Sequence, residues 1–358
     1  RDLHSFPTRR SSDLVVGKKV FVIIMAFSMI IGLAACGGND KTPAASDSSV
    51  ASDSSEENDD SEKEVEGTPI SLSTPIDYTL GTTTVHSEWI KFAAEPYVVK
   101  DIFSPQITAV GDYLIVLTDD RKLGKYKNEG SSLKLEASWT LESDYEFLSP
   151  GPDNTFFLSG FMSPLIQMDL EGTKIASYEC TDKASINPDG QSGLITWPGS
   201  TPEKLTLSNT NATKETISEL EGYFATGSCT SNEHMFLFGK AADSENNKVY
   251  VLDKNGSIVL TLGGNENLGD DIIGAAQSVL ETEKYYVVLD GNLRKLALWD
   301  KEGNFAGKID DDAIFGTDYP WICTSTIAND GTMYIGLTER RKEENSKSEL
   351  LIFKVSGF

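Results

Sequence analysis

The chain has 358 residues, a formal net charge of −24 and a pI near 4.5. That length suits one large or two ordinary domains, and that charge excludes nucleic acid as a partner, because phosphates are held by clustered Lys and Arg. Four cysteines without CxxC spacing, and three histidines far apart at His4, His86 and His234, lead us to expect no metal, no cofactor and no His-based catalytic residue.

The chain begins RDLHSFPTRRSSDL, in which Arg9-Arg10 precedes an apolar run. A twin-arginine export signal is ruled against by Asp13, which stands where that signal carries apolar residues. Residues 1–14 instead resemble a short-read sequencing adapter translated in frame, with Leu14 at the junction. The protein's own sequence is then expected from about Val15.

Residues 15–35 read as a signal peptide. Lys18 and Lys19 form a basic start, and Val20–Leu33 is an uncharged, mostly apolar stretch of 14 residues. That fits the ~7–15 residues of a signal peptide's apolar region and falls short of the ~20 a membrane-spanning helix requires. Leu33-Ala34-Ala35-Cys36 follows, and resembles the lipobox of bacterial lipoproteins. The resemblance implies cleavage before Cys36 and lipid on its sulfur. It places the protein in the bacterial cell envelope, on the outer side of the cytoplasmic membrane or in the periplasm, with the membrane as partner through the lipid anchor.

Residues 36–70 hold the lipidated Cys36 and a tether. From 37 to 70 there are ten acidic residues and two lysines, net −8, with almost no large apolar side chain. Such a segment cannot bury enough surface to order itself, and its like charges extend it.

Residues 71–358 carry the folded domain. From about residue 86, short β-branched and aromatic runs alternate with Gly, Asn and Asp turns at a period of about 40 residues. No long 3.6-period segment appears, and the best helical candidate is only Asp271–Val279. Six units follow one another: 107–141, 145–178, 184–217, 225–263, 273–309 and 321–355. Each reads as two strands, a loop, and two further strands joined by a tight turn. The turns Asp253-Lys-Asn-Gly256 and Asp300-Lys-Glu-Gly303 are the clearest copies, with Leu170-Glu-Gly172 weaker. Asn187-Pro-Asp-Gly190 and Asn329-Asp-Gly331 mark the earlier turn of the unit. The sixth unit supplies three strands, and residues 86–92 are expected to close it from the other end of the domain. The expected fold is thus all-β, a six-bladed β-propeller after a signal peptide and disordered acidic linker. A seventh partial blade using Tyr78–Val85, or a β-sandwich, are the alternatives. The arrangement resembles the six-bladed propellers of the NHL and Tol-periplasmic type, which implies architecture more than activity.

Enzymatic patterns are thin. There is no GxSxG elbow and no HExxH, and the inner-strand runs ITAV, FATGSC and ICTSTIA lack acids. No catalytic residue is assigned. His86 and His234 read as surface or turn residues. Asp310-Asp311-Asp312 reads as a solvated loop without the spacing of a calcium site. Cys180, Cys229 and Cys323 read as small buried residues, a disulfide between two of them being left open. The better lead is a binding face. Loops joining second and third strands, together with those between blades, lie on one side of a propeller. They carry Phe161, Met162, Trp197, Tyr319 and Trp321, with Arg340-Arg341-Lys342 nearby. The expected function is a binding or scaffold module for a protein, peptide or glycan. The alternative is an extracytoplasmic hydrolase or lyase using carboxylates in the central funnel.

Overall fold

The structure, a computed structural model, describes residues 72–93, 98–99, 105–118, 121–197, 200–241, 244, 246–264, 269–317, 320–339 and 348–358. These lie in one unit, Glu64–Phe358. Cys36, the signal segment, the acidic tether and the adapter-like start fall outside the described residues, as do Tyr319 and Arg340-Arg341-Lys342.

The domain is almost wholly β. The N-terminal strands are β1 (Ile76–Leu80), β2 (Thr83–Phe92) and β3 (Val98–Val99). A first meander follows: β4 (Gln106–Val110), β5 (Tyr113–Leu117), β6 (Lys122–Asn128) and β7 (Ser132–Thr140). The second is β8 (Phe147–Pro150), β9 (Phe156–Gly160), β10 (Ser163–Met168) and β11 (Lys174–Tyr178). The third is β12 (Ala184–Ile186), β13 (Ser192–Ile195), β14 (Glu203–Ser208) and β15 (Asn211–Thr216). The fourth is β16 (Phe224–Thr230), β17 (Met235–Lys240), β18 (Lys248–Leu252) and β19 (Ile258–Leu262). The fifth is β20 (Ala276–Glu281), β21 (Tyr285–Asp290), β22 (Lys295–Asp300) and β23 (Phe305–Asp310). The last strands are β24 (Pro320–Ile327), β25 (Met333–Glu339) and β26 (Ser348–Ser356).

The second to fifth meanders are four separate four-stranded antiparallel sheets. The rest form a ten-stranded sheet in the order β24-β25-β26-β2-β7-β6-β5-β4, with β1 on β2 and β3 on β26. Six separate sheets were expected, and two of them are therefore merged. The cause is the length of β2. Its residues His86–Ile90 pair antiparallel with Ser356–Ile352 of β26, and Lys91 and Phe92 then run on to pair in parallel with Ser132 and Leu133 of β7. Ile76–Leu80 form a hairpin with Thr83–Ser87 on the outer edge, so the Tyr78–Val85 stretch builds no further blade. The innermost strands β4, β8, β12, β16, β20 and β24 touch in turn, and β24 returns to β4. This is a β-propeller arrangement.

Packing explains why the second strands read as unbroken apolar runs. Along β17, Met235 and Leu237 pack back towards the third sheet with Leu194, while Phe236 and Phe238 pack forward on Val279, Tyr286 and Val288 of the fifth. β21 does the same, with Tyr286 and Val288 facing back and Val287 and Leu289 facing forward onto Ile322, Ile335 and Phe353. A strand buried on both faces needs an apolar residue at every position, because neighbouring side chains point to opposite sides.

Each innermost strand has one edge that faces the axis and no ladder partner there. Side-chain hydroxyls of the neighbouring sheet take up its backbone groups. Thr324 and Thr326 of β24 accept from the N–H of Ile107 and Ala109 in β4, at 3.3 and 3.1 Å. Ser149 of β8 accepts from the Ile186 N–H at 3.1 Å. Thr230 of β16 donates to the Ile186 carbonyl at 2.7 Å. The Ser185–Ser228 and Ser325–Ser278 hydroxyl pairs, at 3.0 and 2.8 Å, tie two more junctions.

The Asp turns form a second repeated device. Asp169, Asp253 and Asp300 each accept two backbone N–H bonds through one carboxylate oxygen, from residues two and four further on. The glycine that follows sits at φ 81°, 90° and 87° respectively, where a side chain is strained. The Leu170-Glu-Gly172 turn is thus a full copy beginning at Asp169.

Asp271–Val279 forms no helix: the segment turns and enters β20, its Val279 buried against the fourth sheet. One local expectation is corrected. Asp310 and Asp312 are exposed, but Asp311 between them is not part of a solvated loop. Asp311–Phe315 forms a short helix, α1, ended by Gly316 at φ 64°. Asp311 is 2% exposed and takes both arms of the Arg294 guanidinium, at 3.0 and 3.2 Å. Ile314 and Phe315 pack into the core, the Phe315 ring 4.8 Å from that of Phe353.

Replacing Thr326 with Val keeps the shape and removes the acceptor for the Ala109 N–H. Chemical denaturation should show a loss of about 1–3 kcal/mol, the cost of stranding a buried donor. The Asp turns set a pH dependence. The Ser257 N–H holds Asp253 below the ordinary carboxylate value, the Asn304 side chain does so for Asp300, and the Thr332 N–H for Asp330. A lowered folded pKa adds stability above the unfolded value, and that stability is lost as pH falls through the folded one. The melting-temperature gap between wild type and a D253A/D300A double variant should therefore be full at pH 7 and shrink below about pH 4.

Candidate functional site

A cavity of about 1100 Å³ lies at the centre of the ring. Its wall is made by the innermost strands, and its rim by the turns that follow them, including Asp153, Asp189, Asn232, Glu233 and Glu283. Most wall hydroxyls are spent on the junctions between sheets. Two lysines reach the rim from equivalent turns, Lys254 of Asp253–Gly256 and Lys301 of Asp300–Gly303. Each meets a carboxylate: Lys254 contacts Asp189 at 2.6 Å and Lys301 contacts Glu281 at 2.9 Å. Burial works to raise the Asp189 pKa, yet the Lys254 ammonium and the Gln191 N–H hold it below the usual range.

Glu281 is the carboxylate missed from the sequence. It ends the inner strand β20, and its side chain is 7% exposed. Ser231 donates to one oxygen, and His234 Nδ1 sits 2.8 Å from the other, which Lys301 shares. His234 is the turn residue expected, in the β16–β17 connection, and that turn sets it against the adjacent sheet with Glu233 beside it. One ligand atom each from Glu233, His234 and Glu281 lie within 4.8 Å of one another. Lys301 also lies 4.2 Å over the Tyr286 ring. Burial, then the charges of Glu281 and Glu233, push the Tyr286 hydroxyl up to about 12. His86 is elsewhere, bonded to Asp77 at 2.6 Å on the β1–β2 hairpin.

The sequence-chosen aromatics divide. Phe161 and Met162 form the β9–β10 turn, 49% and 77% exposed, with Met162 in the left-handed region at φ 60°. Trp197 follows β13, and its ring lies 4.5 Å from Phe161 at a tilt of 32°. Lys183 sits 5.5 Å over Trp197 and pairs with Glu146, whose carboxylate also accepts the Phe161 N–H at 3.4 Å. The exposed Phe161 and Met162 and the half-buried Trp197 thus lie together across the second and third sheets. Trp321 is 43% exposed but lies within β24, paired to Thr338, rather than in a loop. It makes no ring contact with the other two. None of the four lines the cavity, because turns after second strands and turns after first strands lie at opposite ends of the sheets.

No disulfide joins Cys180, Cys229 and Cys323. Cys229 sits on the cavity wall, its sulfur accepting the Val279 N–H at 3.3 Å. Burial pushes its thiol up to about 12.

A comparison with protein-family models finds no match, and a comparison with curated proteins finds none. Among solved structures, the β-propeller domain of Cps50 (Swd1) from Myceliophteria thermophila is similar at a TM-score of 0.44 and 10% identity, over 73% of this chain and 98% of that one.

Iodoacetamide at pH 8 should leave Cys229 unmodified in the native protein and alkylate it fully in denaturant, as peptide mass mapping would show. Rapid native labelling would place its thiolate far lower than this burial allows.

Proposed function

We propose that this chain is a six-bladed, lipid-anchored lipoprotein of the bacterial cell envelope whose propeller binds a protein, peptide or glycan. Six blades follow from reading the ten-stranded sheet as two blades fused through β2, in line with the closed circuit of six innermost strands. The anchor reading rests on the Leu33-Ala34-Ala35-Cys36 sequence and the acidic tether after it.

The observation that carries the binding reading is the Phe161–Met162–Trp197 cluster. Phe161 and Met162 stand in solvent beside the half-buried Trp197, at a junction between two sheets, and a left-handed Met that a glycine could replace holds the turn. Large apolar groups with a charged border at Lys183 and Glu146 are the composition of a recognition surface. Met162, the most exposed of them, favours a peptide or protein over a sugar, because thioethers adapt to apolar partners and offer no hydrogen bonds to hydroxyls. Hydrolysis or lyase chemistry in the cavity is the second reading. It has Glu281, but both oxygens of that carboxylate are already engaged by Ser231, His234 and Lys301.

Two measurements test the proposal. In a bacterial host, Cys36→Ser should move the protein from the membrane fraction to the soluble one. On peptide and glycan arrays, the purified protein should give hits that F161A and M162S each weaken by about tenfold, roughly 1.4 kcal/mol. Hits unchanged in both variants would remove this cluster as the site.

A further inference from the structure

We infer that Glu233, His234 and Glu281 form a binding site for one divalent transition-metal ion at the rim of the central cavity, independent of the aromatic cluster. The donors come from two sheets. Glu233 and His234 sit in the β16–β17 turn, and Glu281 ends β20 of the next sheet. Their ligand atoms fall within 4.8 Å of one another. The 2.8 Å between His234 Nδ1 and Glu281 Oε1 is shorter than the ~3.4 Å that separates neighbouring ligands around a tetrahedral ion with bonds of about 2.1 Å, so the pair opens slightly to admit one. Small rotations of Glu233, which is exposed at the rim, complete the set.

The charges make the same point. Two carboxylates face each other here, yet only one has a counter-charge. Lys301 bonds Glu281, while the Glu233 carboxylate has no hydrogen-bond or ion-pair partner among the described residues. Like charges this close disfavour each other unless a cation lies between them. Glu281 is also held ready. Its side chain is nearly buried, and the Ser231 hydroxyl fixes the oxygen that faces away from His234. A bonded ligand oriented by a further hydroxyl is how metal sites are set up.

The donor set selects the ion. One imidazole nitrogen with two carboxylates suits zinc or manganese, while calcium and magnesium prefer oxygen alone. Three protein ligands leave coordination positions open towards the cavity, where a polar group of a bound molecule could take them. The Lys301 ammonium shares its Glu281 oxygen with His234 and must move aside when the ion enters, so it competes with the metal.

Isothermal titration of the full, untagged chain with zinc chloride after chelator treatment tests this. The expected result is one zinc per chain, at least tenfold weaker in E233Q and in H234A, and several-fold tighter in K301Q. A cluster that is only an ion-pair network predicts no gain from K301Q. E233Q lies on the exposed rim and leaves the fold intact, which circular dichroism would check. Absence of a one-to-one zinc complex would overturn the site, and so would zinc affinity unchanged in both E233Q and H234A, which would place the metal on other acidic residues.

Discussion

The domain depends on how its axial strand edges are satisfied. A ring of sheets leaves each innermost strand with backbone groups turned to the axis and to the next sheet, where no ladder continues. An unpaired strand edge is both an energetic cost and an invitation to other chains. Short hydroxyl side chains resolve this. Thr324, Thr326, Ser149 and Thr230 each reach across to a neighbouring sheet and close a backbone bond there. A longer side chain would fill the axis, and an aliphatic one would leave the donor stranded. The cavity is wide because the groups that line it are small.

This constraint also decides what was legible in the sequence. The second strands, such as MFLFG and YYVVLD, announce themselves because burial on both faces demands apolar residues throughout. The Asp-x-x-Gly turns announce themselves because a left-handed glycine and an N–H-accepting carboxylate have few substitutes. Inner runs such as FATGSC and ICTSTIA could be placed as strands, yet their hydroxyls read as an absence of chemistry, when they are what joins the sheets.

The site was less legible, for a related reason. His234 and Glu281 are 47 residues apart, and only the rotation from one sheet to the next brings them to 2.8 Å. No periodicity within a unit shows that. Phe161 and Trp197 could be matched because both follow second strands in consecutive units, and equivalent positions in neighbouring units become neighbours in space. Trp321 failed the same test because Pro320 and Trp321 already belong to β24, so the position that looked like a connection is ladder. Asp311 misled for the converse reason: a run of three acids looked solvated, and Asp310 and Asp312 are, but Arg294 holds Asp311 inside.

The pairing of β2 with β26 has a consequence for how the molecule is made. His86 and Ser356 are partners across 270 positions of chain, so their contact is among the most non-local the sequence allows. Loop-closure entropy makes such contacts late ones, and high contact order makes folding slow. A chain emerging from its N-terminus can build the middle sheets one after another, but the first and last remain open until Ser348–Ser356 arrives. During that interval the exposed edge of β2 is available to any other strand. Residues 37–70, which precede it, carry a net charge of −8, and like charge on two copies of the sequence repels.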